Sequence, residues 1–425
     1  MEQVIKQRIT DIQRGNIPAG YQKAKRIGTF PVEWRQVKIG EFIKFYNEKS
    51  VVNNQYPVLT SARSGLFFQK DYFEDQVTTE NNIGYNIIPL GFFTYRSRSD
   101  DGSFYFNRNT IIDRGVISCF YPVFQFDTEK VDSDYIFICL NELLKEQIFC
   151  EVAGTSQLVL SEKMLSHMNL VLPPLEEQRR IAEILGCCDR VIALKKELIA
   201  EKKTQKKALM QKLLNPDSGF RLPGFSGEWQ KTTIGESGTF VKGKGIQNSQ
   251  CTSVGFPCVK YGDIYMKYNI SFNAAQSFTS ESVFSESLQI ASGALLFTCS
   301  GEDPLEIGKC VLYSGSDYIA VGGDIIVMHP NESISPDFLV HQQYSDDLIK
   351  QKSALGKGNS IVHIHLPEIK SLKISLPPTK KEQQAIADIL SATDKEIDLL
   401  EQELAQQEQK KKSLMQLLLT GIVRV

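Results

Sequence analysis

The chain has 425 residues and a formal net charge of −2, with 42% hydrophobic and 23% charged residues. This length and composition predict two globular domains with packed cores. There is no apolar run of about 18 residues and no signal-peptide pattern at the N-terminus, which argues against membrane insertion and predicts a cytoplasmic protein. The nine cysteines form no C-x-x-C motif. We therefore expect buried thiols in a reducing compartment and no metal site.

The charge distribution gives no general sign of nucleic-acid binding. Residues 31–172 carry 13 basic and 18 acidic side chains, and residues 222–376 carry 11 and 15. Both segments are acidic overall. Any surface of these segments that faces DNA must therefore be a local basic patch.

Residues 1–30 form an N-terminal arm with 6 basic and 2 acidic residues. The stretch 4–14 can form a short helix, and a basic stretch runs from Gly15 to Arg26. Two interpretations are open. The arm is disordered, or it takes the place of a long-helix end, packs beside the C-terminus and completes a circular pseudo-two-fold.

Residues 31–171 have the pattern of a β-rich domain. Aromatic and β-branched strands separated by turn residues are expected over 56–60, 91–95, 104–106, 115–120 and 123–126, with a helix from about Asp134 to Phe149. Two loops place hydroxyl residues beside arginines, as phosphate contact and guanine readout require. Their candidate DNA-binding residues are Thr60, Ser61, Arg63, Ser64, Arg96 and Arg98. Taken alone, the pattern of each loop favours a solvated turn over a DNA contact.

Two long segments repeat one another, residues 172–215 and residues 376–425. Both begin Leu-Pro-Pro, and Gln178 matches Gln383, Asp189 matches Asp394, and Leu-Met-Gln at 209–211 returns at 414–416. A repeat of this length sets the architecture. Residues at alternating spacings of three and four predict a heptad seam for helix pairing. Its apolar members are Leu185, Ile192, Ile199, Leu209 and Leu213 in the first copy, and Leu390, Ile397, Leu404, Leu414 and Leu418 in the second.

The seam is polar in its middle. Lys195, Lys202 and Lys206 occupy seam positions in the first copy, as do Gln407 and Lys411 in the second. We therefore do not expect either helix to be a strong oligomer alone. About 40 residues make a rod of roughly 60 Å.

Residues 216–375 predict a second β-rich domain on the same plan. Glu-Trp and Ile-Gly-Glu recur at the entry of both domains, at 33–41 and 228–236. The glycine-lysine loop at 241–246 resembles a P-loop, but Gly245 replaces its Ser or Thr, which excludes a nucleotide site. Its amides and lysines can still hold a backbone phosphate. The candidate DNA-binding residues here are Lys242, Lys244, Lys260 and Tyr261.

A small polar loop precedes the end of each domain. It contributes the candidate DNA-binding residues Thr155 and Gln157 in the first domain, and Lys357, Asn359 and Ser360 in the second. The loops are either a shared ligand edge or shared turn chemistry. No G-x-S-x-G, H-E-x-x-H or proline-proline-aromatic methyltransferase motif is present, so we predict no catalytic residues and no enzyme activity.

The two Leu-Pro-Pro…Glu-Gln…Ile-Ala-(Glu/Asp)-Ile-Leu…Asp…Leu-Met-Gln segments, alternating with two divergent domains, resemble the specificity subunit of type I restriction–modification systems. The stretch GFFTYRSRSDDGSFYFN at 91–107 is also similar to target-recognition domains of that family. The resemblance covers nearly the whole chain. It implies an α+β fold in which two β-rich target-recognition domains are separated by two long helices that pair as an antiparallel coiled coil, in a pseudo-two-fold repeat.

The resemblance also implies a function. Each domain would read one half of a bipartite target in double-stranded DNA, and the helices would set the spacer and dock two methyltransferase subunits. ATP-dependent restriction subunits would complete the complex. S-adenosylmethionine, ATP and Mg²⁺ are then expected on the partners, and no cofactor on this chain. The alternative is a non-catalytic protein-interaction scaffold, which the net negative charge favours.

Overall fold

The computed structural model describes residues 2–24, 28–73, 81–152, 157–358 and 362–425. The chain forms two compact units, the first from residues 1–194 and 404–425 and the second from residues 195–403. Two long helices run through both: the central helix, Leu175–Leu213, and the C-terminal helix, Lys380–Leu419. Each unit thus combines one β-rich domain with one part of each long helix.

The first unit has short strands and short helices besides its parts of the long helices. Its strands are Tyr21–Ala24, Gly28–Pro31, Arg35–Lys38, Ile43–Tyr46, Leu59–Ala62, Gly65–Phe68, Asn86–Pro89, Phe93–Tyr95, Arg98–Ser99, Phe106–Arg108, Arg114–Ile117, Val123–Phe126, Leu158–Val159 and Asn169–Leu172. Its short helices are Glu2–Gln13, Gln69–Tyr72, Ser133–Glu142, Lys145–Glu151 and Glu162–His167, with a 3-10 turn at Ile39–Glu41.

The second unit is built in the same way. Its strands are Gln230–Thr233, Gly238–Lys242, Cys251–Thr252, Phe256–Val259, Ser271–Phe272, Ser277–Thr279, Leu288–Ile290, Leu295–Thr298, Ser300–Gly301, Cys310–Tyr313, Ile319–Val321, Ile325–Pro330, Val362–His363 and Lys373–Leu376. Its short helices are Tyr261–Met266, Glu281–Glu286, Pro336–Gln342, Asp346–Leu355 and Leu366–Ser371, with 3-10 turns at Pro216–Ser218 and Asn248–Gln250.

The two domains share one sheet topology although their sequences diverge. The main sheet of the first has the strand order Phe106–Arg108, Phe93–Tyr95, Val123–Phe126, Ile43–Tyr46. The second has the order Cys310–Tyr313, Leu295–Thr298, Ile325–Pro330, Gly238–Lys242, with Ser271–Phe272 added at the first edge. The common strands occur in the same order along the chain and across the sheet. The repeat therefore includes the interior of the domains.

The repeated Ile-Gly-Glu motif has the same role in both domains. Ile39 N donates to Met168 O at 3.0 Å, and Ile234 N donates to Leu372 O at 2.9 Å. A Cβ atom on Gly235 would lie 2.9 Å from Lys370 O, and one on Gly40 equally close to Ser166 O. Only glycine allows this approach between the entry turn and the last short helix of each domain.

The repeated glutamine joins each long helix to its own domain. Gln178 donates from Nε2 to Pro173 O at 2.9 Å and accepts from Asp132 N at 3.0 Å. Gln383 donates to Pro377 O at 3.0 Å and accepts from Ser335 N at 2.8 Å. Asp132 and Ser335 are the N-cap residues of the first helix that follows each main sheet. Both glutamines are buried and fully bonded, which such amides require.

The glutamate before each glutamine is also buried, and an arginine bonds it through two nitrogens. Arg424 contacts Glu177 at 2.5 and 2.8 Å in the first unit. Arg221 contacts Glu382 at 2.7 Å through both nitrogens in the second. Each arginine follows the end of the other long helix. The start of each helix is therefore tied to the segment that follows its partner.

Within each unit the two long helices run antiparallel, as the repeat predicts. In the second unit, Lys195 pairs with Glu403 at 2.6 Å and Lys202 with Glu396 at 2.7 Å, so the partner number falls as the lysine number rises. In the first unit, Lys411 pairs with Asp189 at 2.6 Å.

The apolar seam residues are enclosed along both helices. Leu185, Ile199, Leu213, Leu390, Ile397 and Leu418 are buried, and Ile192, Leu209, Leu404 and Leu414 are half-buried. The polar middle of the seam is filled by the lysine–carboxylate pairs. Because these pairs are partly exposed, each contributes about 1 kcal/mol or less, and apolar burial supplies most of the stabilisation.

The N-terminal arm packs beside the C-terminus, the second of the two arrangements open for it. Its helix, Glu2–Gln13, places Arg8 Nη1 2.9 Å from Ile422 O, to which it donates. Tyr21 donates its hydroxyl proton to Gly421 O at 2.6 Å.

Two sequence-based expectations need correction. The single helix predicted from Asp134 to Phe149 is two helices, Ser133–Glu142 and Lys145–Glu151, because the chain turns at residues 143–144. The cysteines are not uniformly buried: Cys119, Cys150 and Cys187 are exposed. Across the described residues, no helix has the length and apolarity needed to cross a membrane.

Replacing Arg221 with Met should lower the free energy of unfolding by about 3–5 kcal/mol, because it leaves the Glu382 carboxylate buried and unpaired. Chemical denaturation of the full-length chain measures this. Arg179→Met is the control, since Arg179 and Glu176 form an exposed pair, and its effect should stay within about 0.5 kcal/mol. Equal effects of the two substitutions would contradict the assignment.

Gly235→Ala should destabilise the chain by about 1–3 kcal/mol, because the new methyl group meets a backbone oxygen that cannot move freely. Gly262→Ala is the matched control: the helical site has no atom within 4 Å of the added Cβ. The control should be neutral or slightly stabilising. Thermal unfolding of both variants provides the comparison, and a neutral Gly235→Ala would refute the close-approach explanation.

Candidate functional site

The structure brings the arginine loops of the first domain together around one groove of about 500 Å³. The hairpin Leu59–Ala62/Gly65–Phe68 forms one wall and the segment 96–105 forms another. The predicted residues that line it are Thr60, Ser61, Arg63, Ser64, Arg96 and Arg98. Asn107 positions the hairpin, since its Nδ2 donates to Ser61 Oγ at 2.7 Å and to Ala62 O at 2.8 Å.

Arg63 lines this groove with a largely exposed side chain. Its guanidinium pairs with Asp101 and lies 5.6 Å from the centre of the Tyr105 ring. Asp101 also accepts from Ser103 N at 3.0 Å and from Ser99 Oγ at 2.9 Å. These bonds, first the one from the Ser103 amide, lower the pKa of Asp101 to about 2. The carboxylate is therefore ionised at neutral pH and fixes the turn that follows Ser99.

Arg98 has a different environment. Its guanidinium carbon lies 4.1 Å from the centre of the half-exposed Phe120 ring, a close cation–π contact. The backbone beneath it is fixed, because Ser97 N and Ser97 Oγ both donate to Phe120 O, at 2.9 and 2.7 Å. Within the part of the chain that the structure describes, no carboxylate pairs with Arg98 or Arg96. Both are exposed at the groove.

The polar loop of the first domain contributes one described candidate. Gln157 donates from Nε2 to Asp100 Oδ1 at 3.0 Å, and Asp100 lines the groove. The structure thus places Gln157 beside the two arginine loops. Thr155 lies outside the described residues.

Two backbone amides of the glycine-lysine loop of the second domain, which the sequence predicts to be available to a phosphate, are bonded within the domain. Gly243 N donates to Ile325 O at 2.9 Å, and Lys244 N donates to Val321 O at 3.2 Å. These amides are satisfied by the sheet, so they cannot cradle a phosphate. Lys242 and Lys244 are exposed and remain available as point charges.

Lys260 and Tyr261 lie at the start of the helix Tyr261–Met266, where Lys260 is the N-cap residue. Lys260 Nζ donates to Asn248 Oδ1 at 2.8 Å. Tyr261 donates its hydroxyl proton to Ser300 O at 2.6 Å. Burial raises the pKa of the Tyr261 phenol, so it remains protonated and acts as a donor.

Lys357 lies beside the strand that contains His363 in the second domain. Its backbone exchanges two hydrogen bonds with His363, at 2.9 and 2.8 Å, and its ammonium pairs with Glu368 at 3.2 Å. His363 Nδ1 lies 2.8 Å from Ser300 Oγ. Tyr261 and Lys357 are thereby linked through Ser300 and His363. Asn359 and Ser360 lie outside the described residues.

Sequence reasoning missed several residues of these sites. In the first domain they are the aromatic residues Tyr105 and Phe120, which look like ordinary strand residues in sequence. In the second they are Ser300 and His363. One signal was available: the strand that contains His363 follows the small polar loop that matches Gly-Thr-Ser in the first domain. The described residues hold no cluster of three or more potential metal ligands.

A family model described as "Type I restriction modification DNA specificity domain" matches residues 31–203 and 226–409. The chain is also 26% identical over 421 residues to the type I restriction enzyme MjaVIII specificity subunit of Methanocaldococcus jannaschii. This similarity covers 93% of the chain and 94% of that protein.

Two solved structures share the fold. The S subunit of a type I restriction-modification system from M. genitalium has a TM-score of 0.58 at 16% identity, covering 91% of this chain and 96% of that one. A chain from a structural study of complex assembly and conformational transition in a type I R-M system has a TM-score of 0.53 at 14% identity, covering 93% and 99%.

Proposed function

Because this chain belongs to the type I restriction–modification DNA specificity family, we propose that it selects the DNA target of a type I restriction–modification complex. Each β-rich domain reads one half of a bipartite target in double-stranded DNA. The observation that carries this proposal is the groove of the first domain. It gathers Arg63, Arg96 and Arg98 with Thr60 and Ser61 in a domain that is acidic overall.

The groove has the chemistry for reading a base edge. Arg96 and Arg98 present guanidinium donors that no carboxylate of the described residues pairs with, and the hydroxyls of Thr60 and Ser61 can donate or accept. Arg63 also lines the groove, where it pairs with Asp101. In the second domain the exposed lysines, Lys242 and Lys244, suit phosphate contact, while Tyr261 and the residues around it form the edge beside them.

The long helices act as the spacer between half-sites. Their antiparallel pairing within each unit is held by apolar seams and by lysine–carboxylate pairs. Because the major groove of B-DNA returns about every 34–36 Å, the length of the helices between the two domains would set the number of bases between the half-sites. The bases between the half-sites are crossed without being read.

The chemistry of modification and cleavage belongs to other subunits. We infer two methyltransferase subunits, which dock on the helices, carry S-adenosylmethionine and flip the target adenine out of the stack. ATP-dependent restriction subunits carry ATP and Mg²⁺. The chain itself is non-catalytic and binds no cofactor. The partners also supply part of the phosphate neutralisation that this acidic chain lacks, and the complex works in the cytoplasm, where its DNA is.

Replacing residues 31–171 with the corresponding domain of a relative should change one half of the methylated target and leave the other half and the spacer intact. The main sheet of each domain forms within its own unit, which makes the half-sites independent. Modified-base sequencing of cells expressing the chimaera reads both halves. Replacement of residues 226–375 is the reciprocal control. A change in both halves from either replacement would refute independent reading.

Deleting one heptad from each long helix, residues 195–201 and 397–403, should shorten the spacer and leave both half-sites unchanged. The deletions remove about 10 Å of rod, up to about three base pairs, and keep the seam in register. The same sequencing measures the spacer. The control is the substitution of an exposed residue inside a deleted segment, such as Lys196→Ala, which should leave the spacer length unchanged. Altered half-sites would contradict the ruler role.

A further inference from the structure

Each domain has a short strand pair beside its candidate DNA-binding residues, Arg98–Ser99 with Leu158–Val159 in the first and Ser300–Gly301 with Val362–His363 in the second. The two domains place different side chains at one equivalent position of these strand pairs. In the first domain Leu160 N donates to Ser97 O at 2.9 Å, and Arg98 pairs with Val159 in the adjacent strand register. In the second domain Ile364 N donates to Cys299 O at 2.9 Å, and Ser300 pairs with His363. The backbone bonds make Arg98 and Ser300 counterparts.

Arg98 is prepared for bidentate recognition. Its guanidinium carbon lies 4.1 Å from the centre of the Phe120 ring, a contact that restricts the position of the group, and the strand beneath it is bonded on both sides through Ser97. No acidic side chain among the described residues neutralises it. A fixed, unpaired guanidinium fork matches O6 and N7 of guanine in the major groove, and it matches no other base edge equally well.

The counterpart in the second domain has another chemistry. Ser300 Oγ lies 2.8 Å from Nδ1 of the exposed His363 ring, so the pair offers a hydroxyl and an imidazole. Neither group supplies two parallel donors, and the pair therefore cannot read guanine as the arginine fork does. The same strand position thus gives the two domains different base preferences.

We propose that Arg98 is a specificity-determining residue that reads a guanine in the half-site of the first domain, and that Ser300 and His363 occupy the corresponding reading position for the other half-site. This inference rests on the proposed function and deepens it. It assigns a base to one residue and makes the two half-sites unequal at equivalent positions.

The test is modified-base sequencing of cells that express the full-length chain with its modification partners, as wild type, Arg98→Ala and Arg98→Lys. Arg98→Ala should make a single G·C position of one half-site degenerate, with the preference for that base falling about 5- to 150-fold. The other half-site and the spacer should be retained. Arg98→Lys should keep part of the preference. Arg35→Ala, at an exposed position outside the groove, is the control and should leave the motif unchanged.

A reciprocal variant separates the two domains: His363→Ala should alter one position of the other half-site only. An unchanged motif with Arg98→Ala would overturn the proposal, since a phosphate contact lowers affinity for all sequences alike. So would degeneracy at an A·T position. If Arg98→Ala abolishes methylation, binding of the complex to duplexes with each base at each position decides. Loss of preference at one guanine supports the proposal, and retained preference contradicts it. A wild-type chain that directs no bipartite motif would instead refute the proposed function itself.

Discussion

Two buried carboxylates connect the start of each long helix to the segment that follows the other long helix. Glu177 and Glu382 begin the two long helices, and each is enclosed so completely that its charge requires a bonded cation. That cation comes from the segment after the other helix, Arg424 in one unit and Arg221 in the other. Each unit is therefore assembled from stretches far apart in sequence. The neighbouring glutamines, Gln178 and Gln383, extend the same junction into the β-rich domains.

The residues of this junction recur in both halves of the chain and form a constant frame. The residues proposed to read DNA differ between the two domains and form a variable edge. The frame residues recur in both halves and make the same bonds, as the glutamines and the entry glycines show. The edge residues do not recur: Arg98 over Phe120 in one domain corresponds to Ser300 beside His363 in the other. Because the frame fixes how each domain meets its own helix, the residues proposed to read DNA can differ between the domains without a change in how either domain is held. A reader of two different half-sites needs this division.

The sequence predicts the frame better than the edge. Period and repeat identify the long helices and their seam, because helix pairing is a one-dimensional pattern. They do not reveal that the lysines within the seam pair with acids of the partner helix, since such pairs depend on the register between distant segments. Period and repeat also do not show that the two main sheets have the same strand order. That order depends on backbone pairing between strands, whose side chains differ between the domains.

At the edge, residue type predicted the arginine loops of the first domain but not their individual environments. Arg63 is neutralised and Arg98 is stacked, and only the fold brings Asp101 and Phe120 to them. The glycine-lysine loop was expected to offer its amides, and the fold bonds two of them, those of Gly243 and Lys244, to backbone carbonyls.

The most direct measurement is modified-base sequencing of the host genome with this chain present and with it deleted. If the chain directs a type I modification complex, one bipartite methyl-adenine motif is present in the first genome and absent from the second, with two unequal half-sites separated by unread bases. Identical methylation in the two genomes, with the modification subunits expressed, would contradict the account and favour a protein-interaction scaffold.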